Sequence, residues 1–441
     1  PGNPANTKVS GIDIDATTIP QLQQLMNARR IKAVQLVNFY KRRIRQLNPA
    51  LKAVIAINPR AHQEALAADA ARRRGDRRPL LGIPIIVKDN INTTGMPTTA
   101  GSWALAGSTP ADAFIVERLR AAGAIILGKA NLSEWANFRS SPSSSGWSGI
   151  GGQGAMPYVL DRNPCGSSSG SAVVAAASHA VAAVGTETDG SIVCPAGANG
   201  IVGIKPTLGL WSREGIVPIS ADQDTAGPMA RNVTDAAVLL GAATGVDDDD
   251  PATRGQVGKA FTDYTQLLSD RALEGKRIGV WWEGTTFDPD VAAVLEPFFE
   301  EHVIEPLERA GATVVEGADI RPLGRVRPRA RRPPLRVQDG HRVVPAAVRE
   351  REEPGDRPAV PADARRAHRL QPGVPGARGS LERRHLRARG GDGWTGCRLR
   401  ERPRSRHAAG PAGNRRAPGR SGARRHRRLD ERAGVADQLE P

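Results

Sequence analysis

A chain of 441 residues can form one large domain or two to three smaller ones and can bury a sizeable core. Its formal charge of +16 suggests a nucleic-acid or acidic-membrane partner, but residues 1–324 carry 31 Lys/Arg against 33 Asp/Glu and residues 325–441 carry 31 Arg against 13 Asp/Glu, so the basic character belongs to the C-terminal segment alone. No apolar run approaches the roughly 18 residues of a membrane span, and Cys165, Cys194 and Cys397 form neither a disulfide framework nor a metal-ligand spacing.

Thr17 and Thr18 ahead of Pro20 signal a helix start, with Leu22, Leu25 and Met26 following at helical spacing. Leu36, Tyr40, Ile44 and Leu47 carry a second helix that Asn48-Pro49 should stop. Ala53–Ile57 reads as a short strand and residues 60–74 as an Ala/Arg helix, making 1–75 a helical layer without chemistry. From Leu81 apolar runs alternate with helical patterns, the texture of an α/β domain with much parallel sheet. Strands are expected at Ile83–Val87, Ala124–Leu127, Ile201–Ile204 and Ile278–Trp282, with a helix over 111–122. A later helix, Asp290–Ala310, leads to a strand at Thr313–Val315.

Gly123-Ala-Ile-Ile-Leu-Gly128-Lys129 fits the start of a phosphate-binding loop, but Ala130 replaces the hydroxyl residue that would hold magnesium, and the supposed loop is itself apolar. Asp247–Asp250 reads as a solvated turn before Pro251 rather than as a metal site. Neither a metal nor a cofactor is implied.

The stretch PCGSSSGSAVVAAASHAVAAVGTETDGSIVCP, from Pro164 to Pro195, reads as loop, buried helix, loop. A Gly/Ser cluster is ordinarily a linker, yet this one runs into residues 172–185 without a single charge, and a linker does not feed a buried element. Upstream, Lys88 ends a run of apolar residues. From the residues alone it either snorkels to solvent or is desolvated, with its pKa lowered enough to act as a base. Residues 1–324 hold only three histidines, His62, His179 and His302, none in a polar loop beside a serine, so a Ser-His-Asp triad has poor candidates.

The Pro164–Pro195 pattern, together with Gly82-Ile-Pro-Ile-Ile-Val-Lys88-Asp-Asn90, resembles the amidase signature family, and NLSEWANFR (131–139) and DTAGPMAR (224–231) look most like its peptide amidase branch. The resemblance covers residues 15 to 324. It implies a mixed, largely parallel central sheet covered by helices on both faces, with residues 76–324 as the α/β core. It also implies a Ser-Ser-Lys triad in which Ser191 is the nucleophile, Ser167 on a cis peptide the bridge, and Lys88 the base. Thr188, Asp189, Gly190 and Ser191 would present backbone N–H groups to an oxyanion, Asp189 would fix the loop, and Ser168, Ser169 and Ser171 would be loop hydrogen-bonders. The implied reaction is hydrolysis of a carboxamide, most like a peptide C-terminal amide, to carboxylate and ammonia. A member of a transamidating complex, working on glutamine or tRNA-linked substrates, would share the triad.

Residues 325–441 contain no Lys, Ile, Phe, Tyr or Met and sustain no helical or alternating period. They read either as a disordered basic tail or as the wrong frame of a GC-rich gene. Shifted by one constant offset, Leu335–Asp339 permits Tyr-Glu-Phe-Lys and Ala367–Pro372 permits Leu-Ile-Ala-Phe-Asn, which places a slip near Gly324-Arg325. A nucleic-acid binder built on this tail would want aromatics for stacking, and the tail offers only Trp394. The expectation is a soluble enzyme with no nucleic-acid partner. Its oligomeric state is left open, and both a cytoplasmic location and export after loss of a leader remain compatible with a chain beginning at Pro1.

Overall fold

The computed structural model describes residues 6–281 and 289–318, so the expectations for the segment from 325 onward lie outside the described residues. Thr18 opens α1 (Ile19–Asn27) with a capping box: its hydroxyl accepts from the Gln21 N–H, and the Gln21 side chain accepts from the Thr18 N–H. α2 (Ala33–Leu51) runs through Pro49 instead of stopping before it. The proline stands in the last turn, where little helix remains to be broken. Asn48 then turns the chain, its Oδ1 accepting from Ala53 N and Val54 N while its Nδ2 donates to Val54 O.

The central sheet has six strands, β1 (Val54–Ile57), β2 (Pro84–Lys88), β3 (Ile125–Ala130), β4 (Ala182–Glu187), β5 (Val202–Gly203) and β6 (Thr225–Ala230), in the order β1-β3-β2-β4-β6-β5. Parallel pairing is confined to the centre, where β2 lies between β3 and β4; the outer pairings are antiparallel. Every residue of β2, β3, β4 and β6 is buried. Because alternate side chains of a strand face opposite sides, both faces of this sheet are covered. α3 (Ala61–Arg73) packs on β3, α5 (Ser169–Ala176) on β2 and β4, and α7 (Val233–Ala243) on β6 and on α4 (Phe114–Ala121), with α6 (Val193–Ala198) beside β5.

The uncharged run 172–185, expected as one buried helix, divides between α5 and β4, with Ser178 at φ 53° in the turn between them. Ala and Val at every position leave no period to distinguish a helix from a strand; the run announces burial and nothing more. β6 has no counterpart among the expected strands, since Pro228 argues against a central strand. Its carbonyl is nevertheless engaged, accepting from Ile204 N at 3.1 Å. The Asp247–Asp250 turn is less solvated than expected: Asp247 and Asp250 are 7% and 4% exposed, the first accepting from Ser212 Oγ and the second clasped by Arg213.

Beyond the sheet, β7 (Arg277–Gly279) pairs in parallel with β8 (Thr313–Val315), and α8 (Pro289–Phe299) continues through a π turn to Arg309. Among the described residues no helix is long and apolar enough to cross a membrane.

Candidate active site

Lys88 is the last residue of β2, Thr186 and Glu187 end β4, Ser167 and Ser168 lead into α5, and Ser191 lies just ahead of α6. Central parallel strands and a helix start thus converge at the carboxyl ends of the strands, where ligands bind in open α/β sheets. The lysine is fully buried. Its Nζ lies 2.8 Å from Ser167 Oγ and 2.8 Å from Thr186 Oγ1, and it donates to Thr186 O at 3.1 Å. A neutral amine has two N–H groups and one lone pair. As an ammonium, Nζ donates to all three oxygens; as a neutral amine it can give both N–H groups to Thr186, which leaves its lone pair for the Ser167 hydroxyl. Burial brings the Lys88 ammonium down to about 7 from 10.5, against the opposing pull of the Asp224 and Glu187 carboxylates.

Ser167 is fully buried and follows a cis Gly166–Ser167 peptide. Its carbonyl accepts from Ser133 N at 3.1 Å. Gly166 is required by crowding, since an added Cβ would strike the Ser133 and Ser169 hydroxyls. Ser168 Oγ donates to Thr186 O and accepts from Thr186 N, and Ser171 Oγ donates to Val184 O, so these serines tie α5 to β4.

Ser191 is 8% exposed, and among the described residues its hydroxyl has no hydrogen-bond partner. The loop that carries it is held by Glu187. This carboxylate accepts from Gly190 N at 3.0 Å, Ile192 N at 2.6 Å and Val193 N at 2.9 Å. Asp189, expected to fix the loop, is exposed, and among the described residues its carboxylate accepts no hydrogen bond. Thr188 Oγ1 donates to Asp224 Oδ1 at 2.6 Å, while Asp224 Oδ2 accepts from Ile219 N and Ser220 N. The Gly190 N–H is therefore committed to Glu187; those of Thr188, Asp189 and Ser191 donate to no group among the described residues. Gly190 sits at φ 72°, which a glycine adopts without strain.

The loops bearing the two serines meet through Ser168 N, which donates to Ser191 O at 3.1 Å, and through the Asn199 amide, which donates to Pro164 O and Pro195 O. They are also joined by a Cys165–Cys194 disulfide, a pairing across 29 residues that spacing did not disclose.

Other buried titratable groups lie apart. Lys129 Nζ donates to Ile91 O and Thr98 Oγ1 and faces Asp89 at 3.4 Å; burial lowers it to about 8 while that carboxylate opposes the shift. It is a buried strand residue, which disposes of the phosphate-loop pattern. His179 is buried, and among the described residues both ring nitrogens are unpartnered; burial, reinforced by Arg43, lowers it to about 3. Thr186, Glu187 and Asn90, whose Nδ2 donates to Thr186 Oγ1 at 3.0 Å, escape a reading of the sequence. All three lie within the quoted motifs, but no spacing rule marks them.

A family model described as Amidase matches residues 35–324, and the chain belongs to that family. It is 44% identical over 319 residues to a probable amidase of Arabidopsis thaliana, covering 70% of this chain and 60% of that protein. Over 302 residues it is 43% identical to a component of the glutamyl-tRNA(Gln) amidotransferase of Symbiobacterium thermophilum, covering 67% and 59%. The crystal structure of peptide amidase from Stenotrophomonas maltophilia superposes with a TM-score of 0.65 at 53% identity, covering 68% of this chain and 62% of that one. Peptide amidase has also been solved with the competitive inhibitor chymostatin. The fold is that of amidase-signature enzymes, and the chain spans about three fifths of the length of these relatives.

Proposed function

We propose that the chain is a serine amidase, with Ser191 as nucleophile, Ser167 as proton relay and Lys88 as base, hydrolysing carboxamides of the peptide C-terminal class to carboxylate and ammonia. The observation that carries this reading is the fully buried Lys88, whose Nζ lies 2.8 Å from Ser167 Oγ and whose pKa burial lowers to about 7. Neutral Lys88 takes the Ser167 proton as Ser167 takes that of Ser191, and Ser191 Oγ attacks the amide carbon. The unengaged N–H groups of Thr188, Asp189 and Ser191 supply donors for the oxyanion. The proton returns along the relay to the leaving nitrogen, ammonia departs, and water activated by the same base hydrolyses the ester. Likeness to peptide amidase at 53% identity favours a peptide amide over a free amino-acid amide as substrate.

The test is ammonia release from a panel of peptide amides, simple amides and glutamine. Turnover of peptide amides is expected. Release from glutamine alone would move the reading to the transamidating class, and release from none would overturn it.

A further inference from the structure

The disulfide lies close to both candidate serines, yet no step of the amide chemistry uses it. Cys165 is half-buried two residues before Ser167, and Cys194 is exposed three residues after Ser191, their Cα atoms 6.0 Å apart. Each serine loop has its own anchor: Ser133 N–H and Lys88 on the Ser167 side, the Glu187 carboxylate on the Ser191 side. Neither anchor sets one loop against the other. Three direct links join the loops, the disulfide, the hydrogen bond from Ser168 N to Ser191 O and the Asn199 amide bridging Pro164 O and Pro195 O, while Ser168 Oγ also ties its loop to Thr186 beside the Glu187 clamp. Of the three only the disulfide is covalent.

We propose that the Cys165–Cys194 disulfide is a positioning element that sets the loop of Ser191 against the loop of Ser167, and that its reduction by a small dithiol slows acyl transfer while leaving substrate binding unchanged. The inference rests on the amidase reading above. Proton relay between two hydroxyls is sensitive to their separation, and a displacement of about 1 Å can cost on the order of 10²-fold in rate. The exposed Cys194 gives a dithiol access. One thiolate of the reagent attacks the disulfide and a cysteine thiolate leaves. The second thiol of the reagent then closes its own ring, so that two electrons and two protons pass to the protein and a cyclic disulfide is released.

The experiment uses the full chain in a Cys397→Ser background, where only the two loop cysteines remain. Alkylation with mass mapping should find both thiols blocked before treatment with dithiothreitol and both free afterwards. Reduction should lower kcat for a peptide amide, and the rate of fluorophosphonate labelling at Ser191, by about tenfold or more with KM unchanged. Reoxidation should restore both rates, whereas Cys165→Ser and Cys194→Ser should each hold the reduced rate and ignore the reagent. Equal kcat in the two redox states, a change in KM alone, or thiols already free at the outset would overturn the proposal. Absence of both turnover and labelling in either state would defeat the amidase reading instead. Hydrogen exchange then decides the coupling: peptides spanning 164–171 and 188–196 exchanging about tenfold faster after reduction support it, and unchanged exchange refutes it.

Discussion

Glu187→Gln separates the proposed role of the loop clamp from that of the triad. The carboxylate accepts three backbone N–H groups, from Gly190 on one oxygen and from Ile192 and Val193 on the other. A glutamine of the same length keeps one carbonyl oxygen, so it can hold the Ile192 and Val193 pair but turns an NH2 towards the Gly190 N–H. The charge-assisted bond lost there is worth about 1.5–3 kcal/mol. If the displaced loop expresses about 2 kcal/mol of this in the transition state, kcat/KM falls by about 30-fold. A second effect has a fixed sign. The Glu187 charge raises the Lys88 pKa against burial; neutralising it lowers that pKa further, so the acid limb of the pH–rate profile moves to lower pH. Rates of ammonia release across pH, with circular dichroism as a control for folding, read both effects. A variant whose kcat/KM stays within about twofold of the parent and whose limb does not move would refute the clamp.

Lys88→Ala should cost about 10²–10⁴-fold in rate, and the parent profile should rise through pH about 7 as Lys88 loses its proton; retained activity would return attention to the three histidines. Ser191→Ala should abolish fluorophosphonate labelling, and peptide mapping that finds the label on Ser167 or Ser169 would displace Ser191 as nucleophile. Lys129→Met leaves the buried Asp89 with Thr99 alone and should destabilise the fold by roughly 3 kcal/mol in urea; an unmoved midpoint would show that the pair contributes little. Sequencing the gene across the codons for Gly324 and Arg325 should reveal a frame slip, and a clean read confirming this frame would make the arginine-rich segment genuine.

What is legible in the sequence is local. Thr18 ahead of Pro20 marks a helix start because capping is decided within one turn, and the lysine and two serines can be singled out because their short motifs resemble those of the amidase signature family. The strands Ala53–Ile57, Ile83–Val87 and Thr313–Val315 agree with the structure to within a residue of their ends, each being a brief apolar or β-branched run between breakers. The composition of 172–185 determined that it is buried, but only its place between β2 and β6 decided that its second half is a strand. Contacts across long stretches of chain belong wholly to the tertiary structure. Lys88 meets Ser167 across 79 residues and Thr186 across 98, and Cys165 meets Cys194 because two loops fold over one end of the sheet. Asp189 and Glu187 stand two residues apart and are equally acidic in sequence. The end of β4 buries one under its own loop and leaves the other in water, and with that burial the structure decides which of them holds Ser191 in place.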